Sequence, residues 1–154
     1  MKILVGIDPG KKGGIALSLN GELGVFPTPL LKGELDIKEM VSLIPPMINI
    51  DTTHIAFIEA VHSMPAQGVT SMFTFGKGYG IWIGILAAYG YTINYVRPQV
   101  WKKYFKLGKD KEDSIKKAKE LYSYINLIPP RARKESDGMA EALLILHYGQ
   151  NNKT

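Results

Sequence analysis

The stretch KILVGIDPGKKGGIALSLNGELGVF, residues 2–26, decides the architecture. Residues 2–7 form an apolar, strand-like run that Asp8-Pro9-Gly10 breaks as a turn. A second strand is expected over 13–19, Asn20-Gly21 is a strong two-residue hairpin signal, and a third strand returns over 22–26. The result is a three-stranded meander with an acid, Asp8, at the end of its first strand.

Downstream the pattern changes to alternating helices and strands. Residues 36–47 have helical spacing, starting at Asp36 as cap and running into Pro45-Pro46, which stop it. HIAFI, residues 54–58, is a continuous apolar run of the kind expected for a strand covered on both faces, and Glu59 follows it. A helix is expected over 70–88 despite its glycines, then a strand over 92–96 and a short helix over 98–105. A lysine-rich amphipathic helix follows over 113–124, and a last helix spans 136–148. Pro129-Pro130 and the basic RARK stretch make a loop. These elements predict an α/β fold with a mixed central sheet flanked by helices. They are read as one domain over 1–150, with a flexible tail at 151–154.

The 154 residues, 45% of them apolar, are enough for one full core. The chain has no cysteine, which excludes a disulfide framework, a thiolate metal site and a thiol nucleophile. A metal must therefore bind through oxygen or histidine. The first residues lack a signal-peptide core, and the apolar run 79–93 is interrupted by Gly80, Gly84 and Gly90, short of the roughly 20 residues that span a bilayer. The expectation is a cytoplasmic protein with no membrane partner. The net charge of +5 favours a polyanionic one.

Three places carry acids in positions that invite chemistry. Asp137 and Glu141 are four apart, so on one helix their side chains share a face and repel by about 0.2–0.5 kcal/mol unless neutralised. A divalent cation would neutralise them; the plainer alternative is a helix cap followed by an acid near the helix N-terminus. Asp8 alone reads as part of a turn. Glu59 ends an apolar strand, where a carboxylate is costly unless it is paired, metal-bound or has emerged into solvent. Acids at the ends of two strands and on one helix are the arrangement that holds hard cations through oxygen. His54, His62 and His147 have no zinc-ligand spacing, and no Walker loop, GxSxG elbow or dinucleotide fingerprint is present. Phe73, Phe75, Tyr79 and Trp82 read as core or subunit interface.

Three segments, GIDPGKKGGIAL, FIEAVHSMPAQGVTSMFTFGKGYGIWIGIL and SDGMAEALLILHYG, together resemble the RuvC-type Holliday junction resolvases. The last two most resemble the phage and chloroplast branch. The resemblance covers nearly the whole chain in the right order. It implies a ribonuclease H-like fold, a homodimer, and two magnesium or manganese ions per site that serve hydrolysis of branched, four-way DNA in recombination and repair. Carried over by position, Asp8, Glu59, Asp137 and Glu141 are the catalytic, metal-binding acids. The bacterial pattern closes with two aspartates three apart, where this chain has Asp137 and Glu141 four apart. Lys111 resembles the lysine near the active site, placed to stabilise charge on the scissile phosphate. His62 matches the position of an aromatic wedge, with Met64 and Gln67 as further DNA contacts. Lys77, Lys102, Lys103, Arg131, Arg133 and Lys134 supply phosphate contacts.

Rival readings differ in class. Actin-like kinases also begin with a strand, an aspartate and a glycine turn, but they need two lobes to enclose a nucleotide. A nuclease of the same fold acting on other branched DNA or on RNA–DNA hybrids, and a non-catalytic junction-binding protein, remain as alternatives.

Overall fold

The structure is a computed structural model that describes residues 1–61 and 68–152. Strands β1 (Lys2–Asp8), β2 (Gly14–Leu19) and β3 (Glu22–Pro27) form the expected antiparallel meander, turning at Asn20-Gly21 with both residues at positive φ. Strand β6 (Thr53–Glu59) pairs parallel to β1, and β7 (Thr92–Val96) pairs parallel to β6. The mixed sheet therefore runs β3-β2-β1-β6-β7. Because β1 and β6 are parallel and Ile7 pairs with Ile58, Asp8 and Glu59 reach the same edge of the sheet as neighbours.

Helix α1 (Ile37–Leu43) is shorter than the 36–47 expected. Asp36 caps it by accepting from the Glu39 N–H, but Ile44 precedes Pro45 and is already extended, because proline disfavours helical backbone in the residue before it. Helix α4 (Lys111–Leu121) starts earlier than residue 113, since Asp110 accepts from the Glu112 N–H and so sets the cap. Helices α2 (Val69–Ala88) and α3 (Pro98–Tyr104) lie where expected. Helix α5 (Asp137–Asn151) extends into the segment read as a tail: the Asn151 and Asn152 amides donate to the carbonyls of His147 and Tyr148. A two-stranded hairpin of β4 (Leu30–Leu31) and β5 (Glu34–Leu35), absent from the sequence reading, turns through Lys32 and Gly33 at positive φ.

Strand alternation divides the apolar residues between two cores. Ile3, Val5 and Ile7 of β1, with Ala56 and Ile58 of β6, face α1 and α2 and pack with Met40, Trp82 and Leu86. Leu4 and Phe57 face the other way, against α3, α4 and α5, among Trp101, Phe105, Ala118 and the run Ala142–Leu146. Asp8 and Glu59 have the parity of Leu4 and Phe57, so both acids fall on the α5 face. Gly6 shares that parity and is what lets α5 approach: a Cβ there would strike the Ala142 carbonyl and the Leu146 Cβ. Helix α5 thus lies across β1 and β2 with its N-terminus above the turn after Asp8, where Gly138 meets Lys12 and Gly13 backbone to backbone.

No helix among the described residues is long and apolar enough to cross a membrane.

Candidate active site

A cavity of about 480 Å³ opens at the end of β1, between the β1–β2 turn, α5 and the start of α4. Asp8, Asp137 and Glu141 line it together with Lys12, Lys102, Lys111 and Ser114. Glu59 stands beside them on β6, close enough for its charge to act on Asp8. The four acids singled out in the sequence are therefore brought to one place from three elements, while among the described residues no three acidic or imidazole side chains are so disposed as to hold one ion.

The electrostatics express this crowding. Burial pushes the Asp8 carboxyl up to about 8, and Glu141, Glu59 and Asp137 add to the rise against the opposing Gly10 N–H, which donates to the carboxylate. Glu59 is raised as well, by burial first; the Trp101 indole N–H, donating to Glu59 Oε2 at 2.8 Å, works against the rise. The two helix acids are held by other partners. The Ser114 hydroxyl donates to Glu141 Oε1 at 3.2 Å and the Lys102 Nζ lies 3.6 Å from that oxygen, while Lys111 Nζ is 3.1 Å from Asp137 Oδ2. The hydrogen bond and charge of Asp137 raise the Lys111 ammonium. Lys111 is largely exposed, so its pair contributes only about 0–1 kcal/mol and the side chain can leave readily, whereas Lys102 is only partly exposed.

Local sequence explains the placement. Gly13 N–H closes the turn on Gly10 O at 2.9 Å, and the Thr28 hydroxyl donates to the same carbonyl at 2.8 Å, fixing the backbone that presents Asp8. Ser136 caps α5 by accepting from the Met139 N–H, so the helix begins at Asp137 and one turn later offers Glu141 on the same side.

The remaining predicted residues divide. Lys111 lies at the acids, 3.1 Å from Asp137. Lys102, expected as a phosphate contact, lies against Glu141 and over the Trp101 ring. Arg133 and Lys134 line an adjoining groove of about 610 Å³, shared with Lys111, Lys116 and Asp137. Lys77, Lys103 and Arg131 are exposed, and His62, Met64 and Gln67 lie outside the described residues. Sequence reasoning missed Trp101, Ser114 and Lys12. Neither Trp101 nor Ser114 carries a motif, and their partners are 42 and 27 positions away.

No protein-family model and no curated protein matches the chain by sequence. Solved structures do. RuvC of T. thermophilus in complex with a Holliday junction substrate superposes with a TM-score of 0.58 at 15% identity, covering 99% of this chain and 97% of that one. A second structure of Thermus thermophilus RuvC gives a TM-score of 0.54 at 16% identity, covering 97% and 96%. The fold is ribonuclease H-like. In this ribonuclease H-like frame the acids occupy the ends of β1 and β6 and the first turns of α5. The likeness is to RuvC and does not single out a phage or chloroplast branch.

Proposed function

We propose that this chain is a structure-specific endonuclease that resolves four-way DNA junctions by metal-dependent phosphodiester hydrolysis. The observation that carries this reading is the gathering of Asp8, Asp137 and Glu141 in one cleft with Glu59 beside it, where burial first, and the neighbouring acids after it, lift the Asp8 carboxyl to about 8. Four acids without a thiol or imidazole among them make an all-oxygen donor set, which fits magnesium or manganese. The repulsion left in the cleft, only partly offset by Lys102 and Lys111, gives a divalent cation a reason to bind. Asp8, Glu59, Asp137 and Glu141 would hold the ions, two per site in this proposal. Such ions supply charge neutralisation at the attacking and leaving oxygens of phosphodiester hydrolysis.

The chain's own groups do the rest. Trp101 holds the Glu59 carboxylate in one orientation and Ser114 holds Glu141, a second layer that keeps the acids aimed into the cleft. Lys111, once released from Asp137, is placed to bind the scissile phosphate. The groove of Lys116, Arg133 and Lys134 leads away from the same point and gives the DNA backbone a path. That the solved RuvC complex holds a Holliday junction supports the choice of a four-way substrate. The glycine pattern of α2 and the DG-x-AEALL ending support placing the chain with the phage and chloroplast branch. The proposal takes 1–150 as one nuclease domain.

Cutting opposing strands needs two sites, and we assign the dimer surface to α2. Val69, Phe73, Gly76, Gly80 and Gly84 follow one another on one face; Val69 and Phe73 are 84% and 74% exposed, and a Cβ at any of these three glycines would meet nothing within 4 Å. Two such faces can pack with their backbones close.

The test is nicking of a synthetic four-way junction in magnesium or manganese, with fork, flap, duplex and RNA–DNA hybrid controls. Cleavage confined to the junction, lost with a chelator, is expected. Stronger cutting of hybrid or flap would replace the substrate, and binding without any cutting would make the chain a junction-binding protein. Junction binding should weaken steeply with added salt; a flat response would remove the phosphate contacts.

A further inference from the structure

Across the Asp8-Pro9-Gly10 turn from the acids lies a second cavity, of about 270 Å³. Its apolar surface comes from Pro9, Leu35 and the half-buried ring of Phe75. Gly78 keeps it open, since a Cβ there would meet Leu35 Cδ1 at 3.2 Å and the Pro9 carbonyl at 3.6 Å. Its rim is polar: Thr70, Ser71 and Thr74 present hydroxyls from the first turns of α2, and no hydrogen bond engages those hydroxyls among the described residues. Lys11 completes the wall, anchored by its Nζ donating to Gly33 O at 2.9 Å and lying 3.3 Å from Glu34 Oε2. The short β4–β5 hairpin is what supplies both that anchor and Leu35.

The two cavities share one wall. Gly10 lines the acid cleft, Pro9 and Lys11 line this one, and the Phe75 ring reaches within 3.6 Å of where a Gly10 Cβ would stand. A strand whose phosphodiester lies among the acids has only the short Pro9-Gly10 turn between its backbone and this slot. The slot suits one planar heterocycle: an aromatic ring to stack on, and hydroxyls that both donate and accept along a base edge.

We propose that this cavity receives one unpaired nucleobase of the strand being cut and that Thr70, Thr74 and Phe75 determine which base is accepted. The inference rests on the junction-cutting reading for its substrate. It makes the cavity, rather than the groove of Arg133 and Lys134, the place where sequence is read.

Two measurements test it. A panel of four-way junctions differing only in the bases flanking the crossover should be cut by the wild-type protein at rates spread over about tenfold or more, and T70V/T74V should bring them close to parity. Independently of cutting, 2-aminopurine placed at each flanking position should brighten on binding as it leaves the stack, at one position only, and Phe75→Leu should abolish that change. An unchanged ranking in T70V/T74V, or brightening that survives Phe75→Leu, overturns the proposal. A wild-type protein that brightens the probe through Phe75 yet cuts nothing in magnesium or manganese sinks the nuclease reading and leaves the base pocket standing.

Discussion

Helices α2 and α5 are both long and both carry glycines, yet they use them in opposite ways. Nine of the fifteen residues of α5 are buried, against four of the twenty in α2. In α5 the close approaches are made within the chain, at Gly138 over the β1–β2 turn and at Gly149 against the Phe57 ring. In α2, Gly76, Gly80 and Gly84 approach nothing. One helix is committed to the core and delivers acids to the cleft; the other leaves a glycine-lined face exposed. The contrast teaches that a glycine's role is set by what its missing Cβ would have met.

The largest expected effect breaks the comparison at the acids α5 completes. Asp8→Asn should lower junction cleavage by at least about a hundredfold while binding persists, measured by nicking and by gel shift. Retained cleavage would remove Asp8 from the site. Next is the seat of α5 on the sheet. Gly6→Val should cost about 3 kcal/mol or more in urea unfolding, because the new side chain meets α5 backbone that cannot yield. A loss under about 1 kcal/mol would show that α5 can slide.

A smaller effect comes from the charge stored between the helix and the sheet. The Asp8 carboxyl lies near 3.8 in the unfolded chain and about 8 in the fold, so the folded protein binds the extra proton between those values. Stability from this group is greatest below about pH 4 and falls as pH rises toward 8. Asp8→Asn removes the liability: without divalent cations its melting temperature should exceed the wild type's by on the order of 5 °C at pH 8, and the gain should vanish at pH 4. A gain that is constant with pH would mean that Asp8 is not desolvated. The smallest effect sharpens the α2 side. Gly80→Ala should leave the fold intact and add about 0.5–1 kcal/mol of helix stability, whereas Gly80→Leu should shift sedimentation toward monomer. Dimer retained in Gly80→Leu would move the interface elsewhere.

Most of the sheet was legible because its signals are local. Asn20-Gly21 fixes the hairpin, but residues 3–7 are apolar on both faces, so the face Asp8 takes is decided only where α5 lands. The β4–β5 hairpin escaped because two-residue strands have no period, although Lys32-Gly33 is a usable turn signal. The acids themselves could be picked out as costly or repelling residues. What held them could not: Trp101 reaches Glu59, and Ser114 and Lys102 reach Glu141, only after α3 and α4 have packed against α5. Lysine-rich segments read alike in sequence whether a given lysine is to meet phosphate or a carboxylate of its own chain.

The chain's two tryptophans are divided between the two faces of the sheet, Trp82 on the inner side of α2 and Trp101 on α3 beside Glu59, each without exposed surface. Each layer thus carries its own intrinsic fluorophore. Replacing one by phenylalanine leaves emission that reports on a single side of the molecule, and with Trp82 removed the indole tied to Glu59 becomes an optical gauge of that carboxylate's surroundings, readable before any DNA is added.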